Sequence, residues 1–306
     1  MTSPACKGIA NLVNMGDLAG VLGATESENT MGDVQKKMDL IANDLFIDAL
    51  ENNDHCAGMA SEELDEILTL PADKPRGHYL VTFDPLDGSS NMDINMDVGA
   101  IFSVLKAPAD KENPTAEDFA KPGTEQVAAG YCLYGPSSMM VLTTGNGVND
   151  FTLCSSIGEF ILTHPNMQIP ADTAEFAINA SNQRFWEAPI QEYFADCLQG
   201  EEGKLGKRYN MRWVAAMVGE IHRILCRGGV FLYPIDERNR EVGGKLRLLY
   251  EGNPMAMIVE QAGGAANTGY GRIMEVQPNG DPHQRVPVIM GSKNEVEKIL
   301  NYHNVK

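Results

Sequence analysis

The chain of 306 residues is 43% hydrophobic and 22% charged, which is an ordinary globular composition, and its length suits two domains or one large one. Its formal net charge of -18 argues against nucleic acid or an anionic membrane as a partner, because both attract basic surfaces. The N-terminus does not resemble a signal peptide and no apolar run is long enough to span a bilayer, so we expect a cytoplasmic protein. The six cysteines are scattered without a C-x-x-C pair, which predicts reduced thiols.

The first half of the chain predicts one amphipathic helix followed by a meandering sheet. Apolar residues at helical spacing predict a helix at 35–52. Residues 107–123 are charged and contain prolines, which predicts a surface loop. Apolar, β-branched runs separated by short turns predict strands at 78–83, 98–105, 127–134, 139–144, 151–154 and 160–163.

Beyond about residue 167 the pattern changes to helices that alternate with strands. We expect helices at 186–198, 213–226, 254–261 and 294–302, and strands at 229–233 and 286–290. The sequence therefore predicts a mixed α/β protein in two halves that join near 165–175.

Three groups of acids occupy positions suited to a hard divalent cation, which prefers carboxylate oxygens. Asp84 and Asp87 follow the predicted strand at 78–83 and flank Pro85, although Asp, Pro and Gly are also ordinary turn residues. Glu62 and Glu63 follow Ser61, which predicts a helix start capped by the serine, and this placement does not exclude metal binding.

The third candidate ligand is Glu251, which ends an apolar run just before a predicted helix. An acid in the first turn of that helix, stabilised by the helix dipole, is the alternative explanation.

Two further segments could bind a phosphate. Gly88, Ser89 and Ser90 can offer backbone N–H groups and hydroxyls to an anion. Lys245 and Arg247 lie two residues apart on a strand pattern and should share one face. A solvated sheet edge protected by lysine is the alternative for this pair.

With these residues identified, the sequence resembles class I fructose-1,6-bisphosphatase of the bacterial type. The resemblance covers nearly the whole chain in family order. The segments that carry it are GDVQKKMD at 32–39, FDPLDGSSN at 83–91, VAAGYCLYG at 127–135, NMRWV at 210–214, GGVFLYP at 228–234 and GKLRLLYEGNPM at 244–255.

The resemblance implies a layered α-β-α-β-α fold, with an N-terminal domain at 1–167 and a C-terminal sugar-phosphate-binding domain at 168–306. It implies hydrolysis of the 1-phosphate of fructose 1,6-bisphosphate by a homotetramer that uses Mg²⁺, or Mn²⁺, at about two to three ions per site.

It also implies a role for each matched residue. Metal ligands would be Glu62, Asp84, Asp87, Glu251 and the backbone carbonyl of Leu86, with Asp33 near an additional ion. Asp39 and Glu63 would help to activate the attacking water. Residues that bind the substrate would be Asp87, Gly88, Ser89, Ser90 and Arg247 at the 1-phosphate, and Asn179, Tyr233, Lys245 and a neighbouring subunit's Arg212 at the sugar and 6-phosphate.

Some features depart from the better-known animal pattern. Trp213 replaces a tyrosine beside Arg212, and Asn182 stands where a second phosphate-binding tyrosine is expected. The cysteine loop of light-regulated plastid forms is absent, which argues against thiol switching. The segment that binds the AMP phosphate in regulated relatives has no counterpart in residues 1–5, so we expect near-insensitivity to AMP.

Other functions stay open at this point. The same chemistry would serve sedoheptulose 1,7-bisphosphate, alone or beside the fructose bisphosphate. An enzyme like inositol monophosphatase would leave Lys245, Tyr233 and Arg212 without a second phosphate to bind. A catalytically silent sugar-phosphate-binding regulator is the alternative from another class.

Overall fold

The computed structural model of the protein describes residues 1–28, 34–111 and 113–304. Its N-terminal half combines helices with one large sheet. Its elements in chain order are α1 (Ser3–Met15), β1 (Ala24–Glu28), β2 (Val34–Lys36), α2 (Lys37–Glu51), β3 (Cys56–Ser61), β4 (Leu68–Thr69), β5 (Tyr79–Asp87), β6 (Val98–Lys106), α3 (Ala116–Phe119), β7 (Ala128–Tyr134), β8 (Ser138–Thr143), β9 (Val148–Cys154) and β10 (Glu159–His164).

The large sheet has the strand order β10-β9-β8-β7-β6-β5-β3-β4. Strands β5 to β10 pair antiparallel in sequence order, as a meander does, and β3 lies parallel to β5. Alternation along β5 sends Val81 and Phe83 to the side of α1 and α2, where Phe83 stacks on Phe46 with ring centroids 4.8 Å apart. The opposite face of β5 carries Thr82, whose hydroxyl donates to the Leu249 carbonyl at 3.1 Å.

The C-terminal half holds a smaller sheet with the order β12-β11-β13-β17-β15. Its elements are β11 (Glu175–Ala177), α4 (Ala188–Leu198), β12 (Asn210–Met211), α5 (Met217–Arg227), β13 (Val230–Tyr233), β14 (Leu246–Arg247), α6 (Asn253–Gln261), β15 (Ala265–Asn267), β16 (Arg285–Val286), β17 (Val288–Gly291) and α7 (Lys293–Asn304). Strands β14 and β16 form a separate antiparallel pair.

Helices α5 and α6 lie between the two sheets, and this arrangement places the largest core there. Ile221 and Met255 from these helices share a buried cluster with Tyr131 of the large sheet and Met290 of the small one. On the outer face of the small sheet, α4 and α7 pack through residues such as Ile190. The layers run α1/α2, large sheet, α5/α6, small sheet, α4/α7, which confirms the predicted layered α/β fold.

Several predicted boundaries were wrong. The strand expected at 78–83 continues to Asp87, with a register shift between Asp84 and Asp87 around Pro85, which has no N–H for the ladder. The helix expected at 213–226 begins only at Met217.

Shorter corrections concern the predicted loop at 107–123 and the strand at 286–290. The loop contains the short helix α3. Pro287 divides the strand into β16 and β17. Within the ranges the structure describes, no helix is long and apolar enough to cross a membrane.

Candidate active site

A cavity of about 430 Å³ opens where the ends of β3 and β5 meet β13, β14 and the residues before α6. It brings together nearly every site residue expected from the sequence. The expected residues that line it are Asp39, Glu62, Glu63, Asp84, Leu86, Asp87, Gly88, Ser89, Ser90, Asn179, Tyr233, Lys245, Arg247 and Glu251. Asp33 lies outside the described residues, and Arg212 does not line the cavity.

Two of the carboxylates lie at the end of β5, and each accepts a backbone N–H group. Asp84 Oδ1 accepts the backbone N–H of Leu86 at 2.9 Å, across the bulge at Pro85. Asp87 Oδ2 accepts the N–H of Val218 at 2.8 Å, in the first turn of α5. The free N–H groups and dipole of that helix stabilise negative charge at Asp87.

Glu62 and Glu63 lie in a turn after β3 and not at the N-terminus of a helix, so the helix start predicted there was wrong. The Glu62 N–H donates to the Phe83 carbonyl at 3.0 Å, and the Glu63 N–H donates to the Ser61 hydroxyl at 3.2 Å. The pairing of β3 with β5 therefore carries the two glutamates to the same edge as Asp84.

Glu251 belongs to a turn of π-helix at Leu248–Gly252 that leads directly into α6. Its Oε2 accepts the backbone N–H of Arg247 at 2.5 Å. π-Helical turns are rare and frequently mark functional sites, because the extra residue displaces a side chain from the regular helix surface. Here the displaced carboxylate faces Asp84 and Asp87.

Ligand oxygens of Asp84, Asp87 and Glu251 all lie within 4.8 Å of one another, and these residues are buried. Burial raises the pKa of Asp87 to about 7 and of Glu62 to about 8, and it raises the pKa of Asp84 and Glu251 above their usual range. Neighbouring carboxylates add to the shift of Asp84. The protein alone thus gathers negative charge without enough positive charge nearby to balance it.

This donor set fits a divalent cation. Hard cations such as Mg²⁺ bind through a few carboxylate oxygens and leave positions for water and phosphate. A cation would also supply the positive charge that the raised carboxyl pKa values show to be lacking.

Asp39 is the acid at the start of α2. Its Oδ2 accepts the Lys36 N–H at 2.9 Å, which closes the first turn of the helix. Burial raises the pKa of Asp39 to about 7, and the charge of Glu63 adds to the shift. A carboxyl with this pKa can accept a proton at neutral pH.

The segment after β5 has the geometry of an anion loop. Gly88 adopts a φ of +76°, a left-handed conformation that favours glycine, and Ser89–Ile94 forms a short 3₁₀ helix behind it. A Cβ on Gly88 would lie 2.5 Å from the Ala216 Cβ, so the loop packs directly against the residues before α5. The loop presents Ser89 and Ser90 to the cavity.

The two cations predicted to share a strand face occupy different environments. The Arg247 guanidinium is buried and forms an ion pair with Glu62. Lys245 is exposed at the rim of the cavity. Both line the cavity, as their spacing predicted.

The remaining polar wall comes from the small sheet. Asn179 Oδ1 accepts the Ser181 hydroxyl at 2.6 Å, which orients the amide so that its NH₂ group stays available to a ligand. Tyr233 ends β13, and its ring lies 6.2 Å from that of Trp213.

Among the expected site residues that the structure describes, Arg212 is the one that does not line the cavity. Its side chain is half exposed, and its Nε lies 3.8 Å from Glu175 Oε1.

Sequence reasoning missed the apolar wall formed by Ala215, Ala216, Met217, Phe231 and Leu246. None of these side chains carries a chemical signal of its own. Ala215 has a φ of +64°, a conformation that its residue type would not predict.

A layered α/β fold that brings buried carboxylates up against a glycine- and serine-containing anion loop defines the class of metal-dependent sugar phosphatases. Comparison with known proteins identifies the family within this class. Residues 1–165 match the family model described as fructose-1-6-bisphosphatase, N-terminal domain, and residues 169–304 match the C-terminal domain.

Curated relatives and solved structures agree with these matches. The chain is 60% identical to a fructose-1,6-bisphosphatase class 1 of Halorhodospira halophila and 61% identical to one of Hydrogenovibrio crunogenus, covering 98% of this chain each time and 90% and 91% of those proteins. The holo crystal structure of Leishmania major fructose-1,6-bisphosphatase superposes with a TM-score of 0.92 at 41% identity, covering 99% of this chain and 92% of that one.

The chain belongs to the fructose-1,6-bisphosphatase family, as the sequence predicted. The family is metal-dependent, and the carboxylate cluster is where this chain could hold the metal.

Proposed function

We propose that the chain hydrolyses the 1-phosphate of D-fructose 1,6-bisphosphate with Mg²⁺ held by Glu62, Asp84, Asp87, Glu251 and the Leu86 carbonyl. The class 1 relatives at 60% identity make the chain an enzyme that acts on fructose 1,6-bisphosphate. The observation that carries the metal assignment is the close approach of three buried carboxylates in a cavity that also contains an anion loop.

Divalent ions bound at these carboxylates would neutralise phosphoryl oxygens, lower the pKa of a bound water and stabilise the leaving alkoxide. Phosphate monoesters need this help because their uncatalysed hydrolysis is among the slowest reactions in water. We expect two or three ions, with Mn²⁺ as a substitute and Asp33 beside the additional ion.

The chain itself would hold the phosphate that is transferred. Backbone N–H groups and hydroxyls of Gly88, Ser89 and Ser90 can donate to its oxygens, and the Arg247 guanidinium adds positive charge. Because Arg247 also pairs with Glu62, it would place the phosphate next to the carboxylate cluster.

Proton transfer would belong to Asp39 and Glu63. With its pKa raised to about 7, Asp39 can take a proton from the attacking water near neutral pH. Glu63 lies near enough for its charge to act on Asp39, so the two carboxyls would act together on the attacking water.

The other end of the cavity would recognise the sugar and the 6-phosphate. Asn179 and Tyr233 offer an amide and a phenol, and Lys245 offers a cation at the rim. We infer a homotetramer in which the half-exposed Arg212 reaches a neighbouring site, and two domains at 1–167 and 168–306.

Phosphate release from fructose 1,6-bisphosphate, measured with saturating Mg²⁺ and after chelation, tests this function. We expect turnover only with the divalent ion. Equal turnover after complete removal of metal would contradict the proposed site, and the absence of turnover under both conditions would favour a silent sugar-phosphate-binding protein.

A further inference from the structure

The wall of the cavity beside the anion loop is an irregular segment, Trp213–Ala216, between β12 and α5. Trp213, Ala215 and Ala216 line the cavity. Ala215 has a φ of +64°, a left-handed conformation that is unfavourable for a residue with a Cβ. Such a conformation persists only where neighbouring contacts hold it in place.

The peptide groups of Val214 are held on both sides. Its carbonyl accepts Asn91 Nδ2 at 2.9 Å, and its N–H donates to Glu220 Oε1 at 2.5 Å. Asn91 Nδ2 also donates to the Asp97 carbonyl at 3.1 Å. Asn91 follows directly after Ser90, and Glu220 lies in the first turn of α5. Val214 is therefore hydrogen-bonded both to the end of the anion loop and to the start of that helix.

Glu220 is a costly residue to place here. It is 0% exposed, and burial raises its pKa. Its second oxygen accepts Arg223 Nη2 at 3.1 Å, and Arg223 in turn donates from Nη1 to Glu175 Oε2 at 2.7 Å. A buried glutamate with this network gains little net stability over an apolar side chain, which suggests another reason for its presence.

We propose that Glu220 is a positioning residue for phosphate transfer, which fixes the Val214 peptide and, through Asn91, the direction of the anion-loop N–H groups. The inference rests on the proposed function of that loop. Glu220 does not line the cavity, so it acts on the substrate only through Val214 and Asn91. Loop donors stabilise the transition state only when they are aligned in advance, and a loosened loop would therefore lower kcat more than it raises KM.

The substitution Glu220→Gln tests this with little change in size. A glutamine has one acceptor oxygen and one NH₂ group at its end, so it can accept from Val214 N–H or from Arg223 but not from both. One buried donor loses its acceptor in either orientation.

The chain supplies a matched control in Glu295 of α7. It is 1% exposed, it pairs with Lys298 three residues on as Glu220 pairs with Arg223, and it accepts the hydroxyls of Tyr193 and Tyr209 away from the cavity. Glu295→Gln should lower the melting temperature by a similar amount and leave the kinetics unchanged.

We expect Glu220→Gln to lower kcat by about tenfold or more, with a smaller change in KM, while Glu295→Gln stays within about twofold of the unmodified enzyme. Asn91→Ala should produce a similar loss, and the double variant should lose less than the product of the two single effects, because both act on the Val214 peptide.

A Glu220→Gln enzyme whose kcat matches that of Glu295→Gln would overturn the proposal. So would multiplicative losses in the double variant, which would show two independent structural effects. The unmodified enzyme is assayed in parallel with Mg²⁺, and its failure to release phosphate would count against the proposed function and not against the role of Glu220.

Discussion

Asp84 occupies a position whose charge is unfavourable in the metal-free chain. It is buried, and its neighbours Glu62, Asp87 and Glu251 raise its pKa further, after burial itself. The hydrogen bond that it accepts from the Leu86 N–H fixes one oxygen and does not balance the charge of the cluster. This arrangement is what the proposed metal-ligand role of Asp84 requires, and it comes at the expense of stability in the metal-free chain.

We expect Asp84→Asn to reduce turnover by well over tenfold, which is more than about 1.4 kcal/mol in the barrier, because a carboxylate ligand is lost. Without metal, the same variant should melt at a higher temperature than the unmodified protein, because a buried charge has been removed. Activity assays and thermal melts in chelator check both results. Retention of more than about a tenth of kcat would exclude Asp84 as an essential ligand.

Lys245 and Arg247 should differ in what they do for the substrate. Lys245→Ala should mainly raise KM, because we assign this exposed cation to the 6-phosphate, which does not react. Arg247→Ala should also cut kcat, since the guanidinium lies beside Glu62 in the carboxylate cluster. Steady-state kinetics separate the two effects, with Lys74→Ala as a control for loss of a surface lysine.

Arg247→Lys gives a second comparison, because it keeps a positive charge beside Glu62 while losing the planar fork of the guanidinium. It should fall between the unmodified enzyme and Arg247→Ala in kcat. If Lys245→Ala and Arg247→Ala changed KM alone and to the same extent, the assignment of the two cations to different phosphates would be wrong.

At the scale of elements, the sequence predicted the helices and strands that follow a local pattern. It missed an element boundary that depends on a contact between residues far apart in the chain. Helical periodicity was sufficient for the helix at Lys37–Glu51, because one buried face sets its pattern. Apolar runs between short turns were sufficient for the meander, whose central strands are buried on both faces. Helical periodicity continued α5 back to Trp213, where the chain is irregular. Val214 is kept out of the helix by Asn91, which lies 123 residues earlier, and no local pattern records that bond.

The site was more predictable than the boundaries for a chemical reason. Asp84, Asp87 and Gly88 lie close together in the sequence, so their chemistry appears in one short segment. Glu251 needed the resemblance to a family to be joined to them, because its π-helical turn comes from a different layer. The apolar wall carried no sequence signal at all.

Gly88→Ala tests the contact between the anion loop and the start of α5. The new Cβ would lie 2.5 Å from the Ala216 Cβ in addition to the strain of a φ of +76°. Gly145 is the control, because its φ is +88° and nothing lies within 4 Å of the added Cβ. Gly145→Ala should lose about 1 to 2 kcal/mol of stability and keep its activity.

We expect Gly88→Ala to lose more stability than Gly145→Ala and most of its turnover, since the loop must move away from α5 to relieve the overlap. Denaturant unfolding and phosphate release give the two measurements. Equal stability losses with normal kinetics in both variants would mean that the loop and Ala216 are not in rigid contact.

At the scale of the whole molecule, the layers explain why an acidic protein can bind a doubly phosphorylated sugar. The formal net charge of -18 repels anions over much of the surface. The substrate's phosphates therefore need local positive charge, which Arg247, Lys245 and divalent ions at the carboxylates would supply in the proposed site. Each of the two sheets contributes one side of this cavity, so neither half of the chain would form the site alone.

The carboxylate cluster should couple the stability of the whole molecule to pH and to metal. Burial raises the pKa of Asp87 and Asp39 to about 7 and of Glu62 to about 8, from values near 4 in the unfolded chain. Between these limits the folded state binds more protons than the unfolded state, so stability falls as pH rises. Exposed carboxyls finish titrating by about pH 6, which leaves the interval from about pH 6 to 8 to the cluster and the histidines.

The histidines act in the opposite direction. Burial lowers the pKa of His222 and His283, so their contribution to stability increases as pH rises through the unfolded value near 6.5. The cluster contains more groups, and its shifts are larger, so the melting temperature of the metal-free protein should fall between about pH 6 and 8. Asp84→Asn keeps both histidines and should flatten this fall.

Saturating Mg²⁺ should reverse the trend. A divalent ion competes with protons for the carboxylates, so it binds more tightly as the carboxyl groups lose their protons. The stabilisation that the ion gives should therefore be larger at about pH 8 than at about pH 6. Melting temperatures measured across this range, with chelator and with Mg²⁺, check the prediction. If Mg²⁺ raised the melting temperature equally at both pH values in the unmodified protein and in Asp84→Asn, its binding site would lie elsewhere, because the cluster is where proton release and metal binding must compete.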